Sequence, residues 1–298
     1  MPVGRVNGVE LYWEQRGSGP PLLFCNGSGL ALQDIRPLLD PLAASFDLLA
    51  WDYRGFGRSA PVTHPYTMGD VAADAAGLLK ITGWQSCRVV GASFGGMVAQ
   101  EFAVTYPQQV ERLALACTSA GGKGGSSYPL QKLLELPPAQ RVAAELKLVD
   151  SRWDQRWLEA HPGDRAIAKG MTATGQDQHD SAAAAAYAAQ LKAREGHDVW
   201  DRLGAITCPV LVGYGKYDGI APAHNSENIA SRIRGAELHG YEGGHGFLFQ
   251  DPAALPAYIA FLQAPSTLRA GADRASRGIQ GDAMPGVSGL DGRIRGPS

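Results

Sequence analysis

Apolar and polar positions alternate at the start of the chain. Val3 to Val6, then Asn7-Gly8, then Val9 to Glu14 reads as a β-hairpin, because Asn-Gly suits a tight turn with positive φ. Arg16-Gly-Ser-Gly-Pro-Pro21 breaks that pattern. Short continuous apolar runs come next, at Leu22 to Cys25, Asp47 to Trp51, Cys87 to Ala92, Leu113 to Cys117, Val210 to Tyr214 and Ala236 to His239. Between them the spacing predicts helices near Ile35 to Ala44, from Thr67-Met-Gly-Asp70 to Thr82, from Phe94 to Tyr106, near Ala223 to Ile233 and over Pro252 to Leu262. Thr67 and Asp70 resemble a capping box, with Asp at the usual Glu position. Strand-type runs alternating with helices imply an α/β fold: a mostly parallel central sheet covered by helices on both faces.

Residues 119–200 depart from this alternation. Gly121-Gly-Lys-Gly-Gly125 opens the segment, and the residues after it are helical in pattern, rich in Ala, Leu, Arg and Gln, with no strand evident. The expected organisation is an α/β core from 1–118 and 201–263, with 119–200 inserted as a helical cap. From Ala264 the apolar periodicity is lost and Gly, Arg, Ser and Pro accumulate, so 264–298 is expected to be a disordered tail.

Composition narrows the picture by exclusion. The 298 residues are 45% apolar and 19% charged with a formal net charge of −2, which leaves no basic footprint for nucleic acid or an anionic membrane. No run is long and apolar enough to span a bilayer, and the start alternates and turns where a secretory leader would be apolar. The expectation is a cytoplasmic protein acting on a small molecule. Cys25, Cys87, Cys117 and Cys208 are far apart, form no C-x-x-C pair and sit in or beside apolar runs; buried reduced thiols are expected, and neither a metal nor a cofactor is implied.

One stretch carries chemistry. Gly91-Ala-Ser-Phe-Gly-Gly96 comes after a strand-type run and opens a helix, the context in which Gly-x-Ser-x-Gly acts as a nucleophile elbow. Gly91 and Gly95 let strand and helix approach, and the Phe94 amide at the helix N-terminus would face a reacting oxygen. A serine hydroxyl needs a base, and the base an orienting acid. Of seven histidines, His245 lies in a glycine loop just past the last strand, in Gly243-Gly-His-Gly-Phe247. His239 lies within a strand, and His161, His179 and His197 are expected at the surface of the helical segment. Asp218, in Gly215-Lys-Tyr-Asp-Gly219, comes just after the preceding strand and completes the order Ser, Asp, His. Asp52 precedes the serine and is read as a structural carboxylate. The loop Asn26-Gly27-Ser28-Gly29 would supply a second oxyanion donor, the Ser28 amide. Tyr128, Trp153, Trp157 and Met171 are candidate pocket walls, against the plainer reading that such residues pack a helix interior.

These motifs, with Asp52-Tyr-Arg-Gly-Phe-Gly-Arg-Ser59, resemble the α/β-hydrolase superfamily from about Val3 to Leu262. The resemblance implies Ser93 as nucleophile, Asp218 as acid and His245 as base, in agreement with the residue argument. Many relatives have His-Gly where this chain has Asn26-Gly27; Asn there is similar to the 3-oxoadipate enol-lactone hydrolase branch, whose remaining loop is not matched. Haloalkane dehalogenases and epoxide hydrolases place Asp where this chain has Ser93. The function implied is hydrolysis of a carboxylic ester or lactone through an acyl-enzyme. The alternatives are C–C bond hydrolysis or perhydrolysis with the same triad, or a ligand receptor built on the fold.

Overall fold

The computed structural model describes residues 2–174 and 181–265. The expected tail from residue 266, and His179, lie outside that set. Eight strands form one sheet: β1 (Val3–Val6), β2 (Val9–Arg16), β3 (Pro21–Cys25), β4 (Asp47–Trp51), β5 (Cys87–Ala92), β6 (Val110–Ala116), β7 (Val210–Gly215) and β8 (Glu237–Tyr241). Their order across the sheet is β1-β2-β4-β3-β5-β6-β7-β8. β1–β2 and β2–β4 pair antiparallel; every later pairing is parallel. The hairpin turns at Asn7 and Gly8, both with positive φ (47° and 82°), as Asn-Gly predicts.

The helices between these strands are α1 (Arg36–Ala43), α2 (Met68–Thr82) and α3 (Phe94–Thr105). Among the described residues, five α-helices stand between β6 and β7: α4 (Gln131–Leu134), α5 (Pro138–Val149), α6 (Gln155–Ala160), α7 (Pro162–Thr174) and α8 (Ser181–Glu195). The chain continues with α9 (Ala223–Arg232), α10 (Phe247–Gln250) and α11 (Ala254–Gln263). On one sheet face Leu78 and Leu79 of α2, Phe102 of α3 and Ile229 of α9 pack against Leu23, Val89 and Val212. On the other, Leu39 of α1 and Phe261 of α11 pack against Phe24, Val90 and Leu211. Burial on both faces is why the parallel strands read as continuous apolar runs.

The capping box forms as expected: Asp70 N donates to Thr67 Oγ1 (3.2 Å) and Thr67 N to Asp70 Oδ2 (2.8 Å). β6 begins three residues earlier than its apolar run. The extra residues include Glu111 and Arg112, whose charge conceals the strand in the sequence. Glu111 is nonetheless fully buried, because Arg88 of β5 (3.0 Å) and Ser86 (2.7 Å) donate to its carboxylate, and a paired charge can enter a core that an isolated one cannot. Cys25, Cys87 and Cys117 are buried and Cys208 half-buried, all as free thiols. His161 is exposed, but His197 is buried, against the surface position expected of it.

Candidate active site

The turn between β5 and α3 forces Ser93 to φ 55°, ψ −118°, a conformation an L-residue adopts only under constraint. The constraint is crowding. A Cβ on Gly95 would stand 2.0 Å from the Cys25 carbonyl oxygen, and one on Gly91 2.3 Å from the Gly95 carbonyl oxygen. The glycines therefore let α3 sit directly on β3 and β5. Ser93 is fixed from below as well: its N donates to Ala116 O (2.9 Å), and Thr118 Oγ1 donates to its carbonyl (2.8 Å).

Loops from three distant parts of the chain converge on this turn. His245 Nε2 lies 2.8 Å from Ser93 Oγ, and His245 Nδ1 lies 2.8 Å from Asp218 Oδ2. The other Asp218 oxygen accepts the amides of Ile220 and Ala221, each at 2.8 Å. A carboxylate oxygen can only accept. With the ring proton on Nδ1, facing Asp218, Nε2 is the nitrogen that can receive the one on Ser93. Such a row can move the hydroxyl proton to the ring while the acid holds the ring's orientation.

The Asn26 loop is braced from within. Asn26 Oδ1 accepts Gly27 N (2.7 Å), its Nδ2 donates to Leu30 O (2.9 Å), and Tyr53 OH donates to its carbonyl (3.0 Å). Gly29 N donates to Gln190 Oε1 (2.8 Å). Gly27 and Gly29 thus have acceptors, whereas the amides of Ser28 and Phe94 have none among the described residues. Asp52 accepts the amides of Leu32 (2.7 Å) and Arg58 (2.9 Å), the local structural role expected of it.

Ser93, His245 and Ser28 open on a cavity of about 310 Å³. Its apolar wall includes Leu38, Val149, Ile167 and Leu248. Cys117 also lines it, but burial pushes its thiol well up, with the Asp218 carboxylate adding to the effect; a thiol so held is a poor nucleophile. Tyr128, Trp153 and Trp157, candidate walls against the plainer packing reading, are not among the cavity's described lining residues. Trp153 packs with Val149, Ala168 and Ile220. Trp157 stacks on His161 and donates to Asp164 Oδ2 (2.7 Å). Tyr128 binds through its backbone to Ile220 and Arg194, and the Met171 side chain lies outside the described residues. The helical segment instead presents Leu130, Glu145, Ile167 and Tyr187. Glu145 and Tyr187 carried no sequence signal, since polar positions on amphipathic helices ordinarily face water.

The profile of the family described as alpha/beta hydrolase fold matches residues 20–252. The chain belongs to the α/β-hydrolase family. Among relatives in that family, a poly(3-hydroxyalkanoate) depolymerase from Ectopseudomonas oleovorans is 29% identical over 82% of this chain and 84% of its own length. A non-heme haloperoxidase from Rhodococcus erythropolis is 30% identical over 83% of this chain and 93% of its own. The crystal structure of an enol-lactonase from Burkholderia xenovorans superposes with a TM-score of 0.73 at 23% identity, over 88% of this chain and all of that one. At that identity it is the α/β-hydrolase fold that is shared. No described helix is long and apolar enough to cross a membrane.

Proposed function

We propose that the protein is a serine hydrolase that cleaves a small carboxylic ester or lactone through an acyl-enzyme, with residues 119–200 as a cap over the site. Ser93 is the nucleophile, His245 the base and Asp218 the orienting acid. The observation that carries this reading is the unbroken row from Ser93 Oγ through the His245 ring to Asp218, with both contacts at 2.8 Å. His245 takes the Ser93 proton as Oγ attacks the acyl carbon. The oxyanion is received by the Phe94 and Ser28 amides, a reading favoured by their lack of any other described acceptor. His245 returns the proton to the departing alcohol, then activates water to release the acid. Preorganised amide donors of this kind are worth about 10²–10³ in rate each.

A fluorophosphonate probe tests the reading. It should form one adduct per chain, at Ser93, and Ser93→Ala should lose both the adduct and at least about 10³ of the wild-type kcat on short p-nitrophenyl esters. Labelling elsewhere, or near-wild-type turnover by Ser93→Ala, would sink it. A second reading is favoured by the haloperoxidase relative: hydrogen peroxide in place of water at the acyl-enzyme, giving a peracid. Peracid formation from acetate and peroxide, lost in Ser93→Ala, would support it.

A further inference from the structure

The cavity that holds Ser93 has a charge pattern the triad does not use. Two carboxylates line it, Glu145 of α5 and Asp34, and among its described lining residues there is no lysine or arginine. Asp34 is exposed and accepts the Ala31 amide (2.8 Å). Glu145 is half-buried and has no hydrogen bond or ion pair to any described residue. The cation that acts on it, Arg141, directs its guanidinium at the carbonyl oxygens of Leu133, Leu134 and Leu136 (3.1–3.3 Å). Arg194, whose charge acts on Tyr187, donates to the Tyr128 carbonyl (2.8 Å). Ser28 Oγ is buried in the same wall with no described partner. Burial pushes the Glu145 carboxyl up, and no hydrogen bond opposes it.

A half-buried carboxylate without a partner is a standing cost to the fold. It is relieved by a donor arriving in the cavity, most of all by a cationic one. The same field repels an anion. A substrate bearing a free carboxylate would meet two carboxyl groups in the described lining and no lysine or arginine there.

Resting on the acyl-hydrolase reading, we propose that Glu145 is a specificity-determining residue that receives an ammonium group carried by the substrate, so that the preferred esters are cationic. The carboxylate pairs with the ammonium while the apolar wall takes the intervening methylenes, and the ester carbonyl reaches Ser93.

Two measurements test this separately from the catalytic reading. The first uses methyl 6-aminohexanoate and methyl heptanoate, which exchange an ammonium for a methyl at equal chain length. Calorimetric titration of the Ser93→Ala protein, where turnover cannot interfere, should show the ammonium ester bound at least about tenfold more tightly, or about 1.4 kcal/mol. Adding Glu145→Gln should collapse that ratio towards one. The second is the wild-type kcat/KM ratio for the same pair, again against Glu145→Gln. A ratio is internal to one preparation, so partial misfolding of the variant cannot imitate its loss. Tighter binding of the neutral ester, or a preference that survives Glu145→Gln, overturns the proposal. Preferential binding without hydrolysis by the wild type overturns the hydrolase reading and leaves the ammonium site standing. Hydrolysis without preference does the reverse.

Discussion

At Ser93 the backbone works against the fold. A residue with φ 55° and ψ −118° occupies ground that costs an L-amino acid about 1–3 kcal/mol, and the close approach of Gly95 to Cys25 keeps it there. Glycine does not bear that cost. Ser93→Gly should therefore be more stable than Ser93→Ala by about 1 kcal/mol, inverting the ordinary order in which glycine is the weaker residue. Urea unfolding of the two variants measures it; equal midpoints, or a more stable alanine variant, would remove strain from the account. The same crowding explains why this site was legible in the sequence. Small residues were forced at Gly91 and Gly95, an apolar strand had to precede them, and a helix had to come after. Ser28 was singled out only by the place of its loop after the third strand; in the structure Asn26 occupies the Gly27 amide and Gln190 the Gly29 amide. Glu145 was not singled out, because nothing local distinguishes a helix position facing a cavity from one facing water.

Among the elements, the end of α5 has a consequence for the two loops that bear Asp218 and His245. Leu148 O accepts Gly219 N (2.9 Å), Val149 O accepts His245 N (2.6 Å), and Ser151 N donates to Tyr217 O (3.0 Å). The loops bearing Asp218 and His245 are thus pinned to one short stretch of backbone. Gln250 of α10 tightens the arrangement: its Oε1 accepts Gly244 N and its Nε2 donates to Asp150 Oδ2, both at 2.8 Å. Asp150 is fully buried and is held by Arg152 Nη2 (2.6 Å). Gln250→Met keeps the length and removes these two bonds together with the longer one from Nε2 to Asp164 Oδ1 (3.3 Å). We expect kcat to fall about tenfold with KM little changed, and stability to fall by about 1–3 kcal/mol for the partners left unsatisfied. Steady-state kinetics beside urea unfolding separates the two; lost stability with kcat intact would make Gln250 structural only. The strands and core helices were legible because each is fixed by its own periodicity. The α4–α8 segment was legible only as helical. Its packing is decided by contacts such as Trp153 with Ile220, far apart in the chain, so which face met the cavity could not be read from spacing.

For the whole molecule, the buried titratable groups set how it should respond to acid. Burial pulls His197 down from 6.5 to about 4, so the folded protein holds a neutral imidazole where the unfolded chain would be charged. Between those two values the unfolded state binds more protons, and stability must fall as pH falls. The contribution is whole above about 6.5 and is lost progressively down to about 4, by about 3 kcal/mol at most. Asp52, Asp74 and Glu145 act in the opposite sense, since burial raises each carboxyl and the folded state then takes up protons first. The raw pH profile mixes the two signs, so the informative quantity is a difference. Unfolding free energies from urea melts at several pH values between 4 and 7 should show wild type losing more stability than His197→Leu as the solution is acidified. The difference, wild type minus variant, should move against the wild type across that window, because the leucine variant has no proton to gain there. Parallel profiles for the two proteins would mean that His197 is protonated in the folded state, and that something in its surroundings compensates its charge.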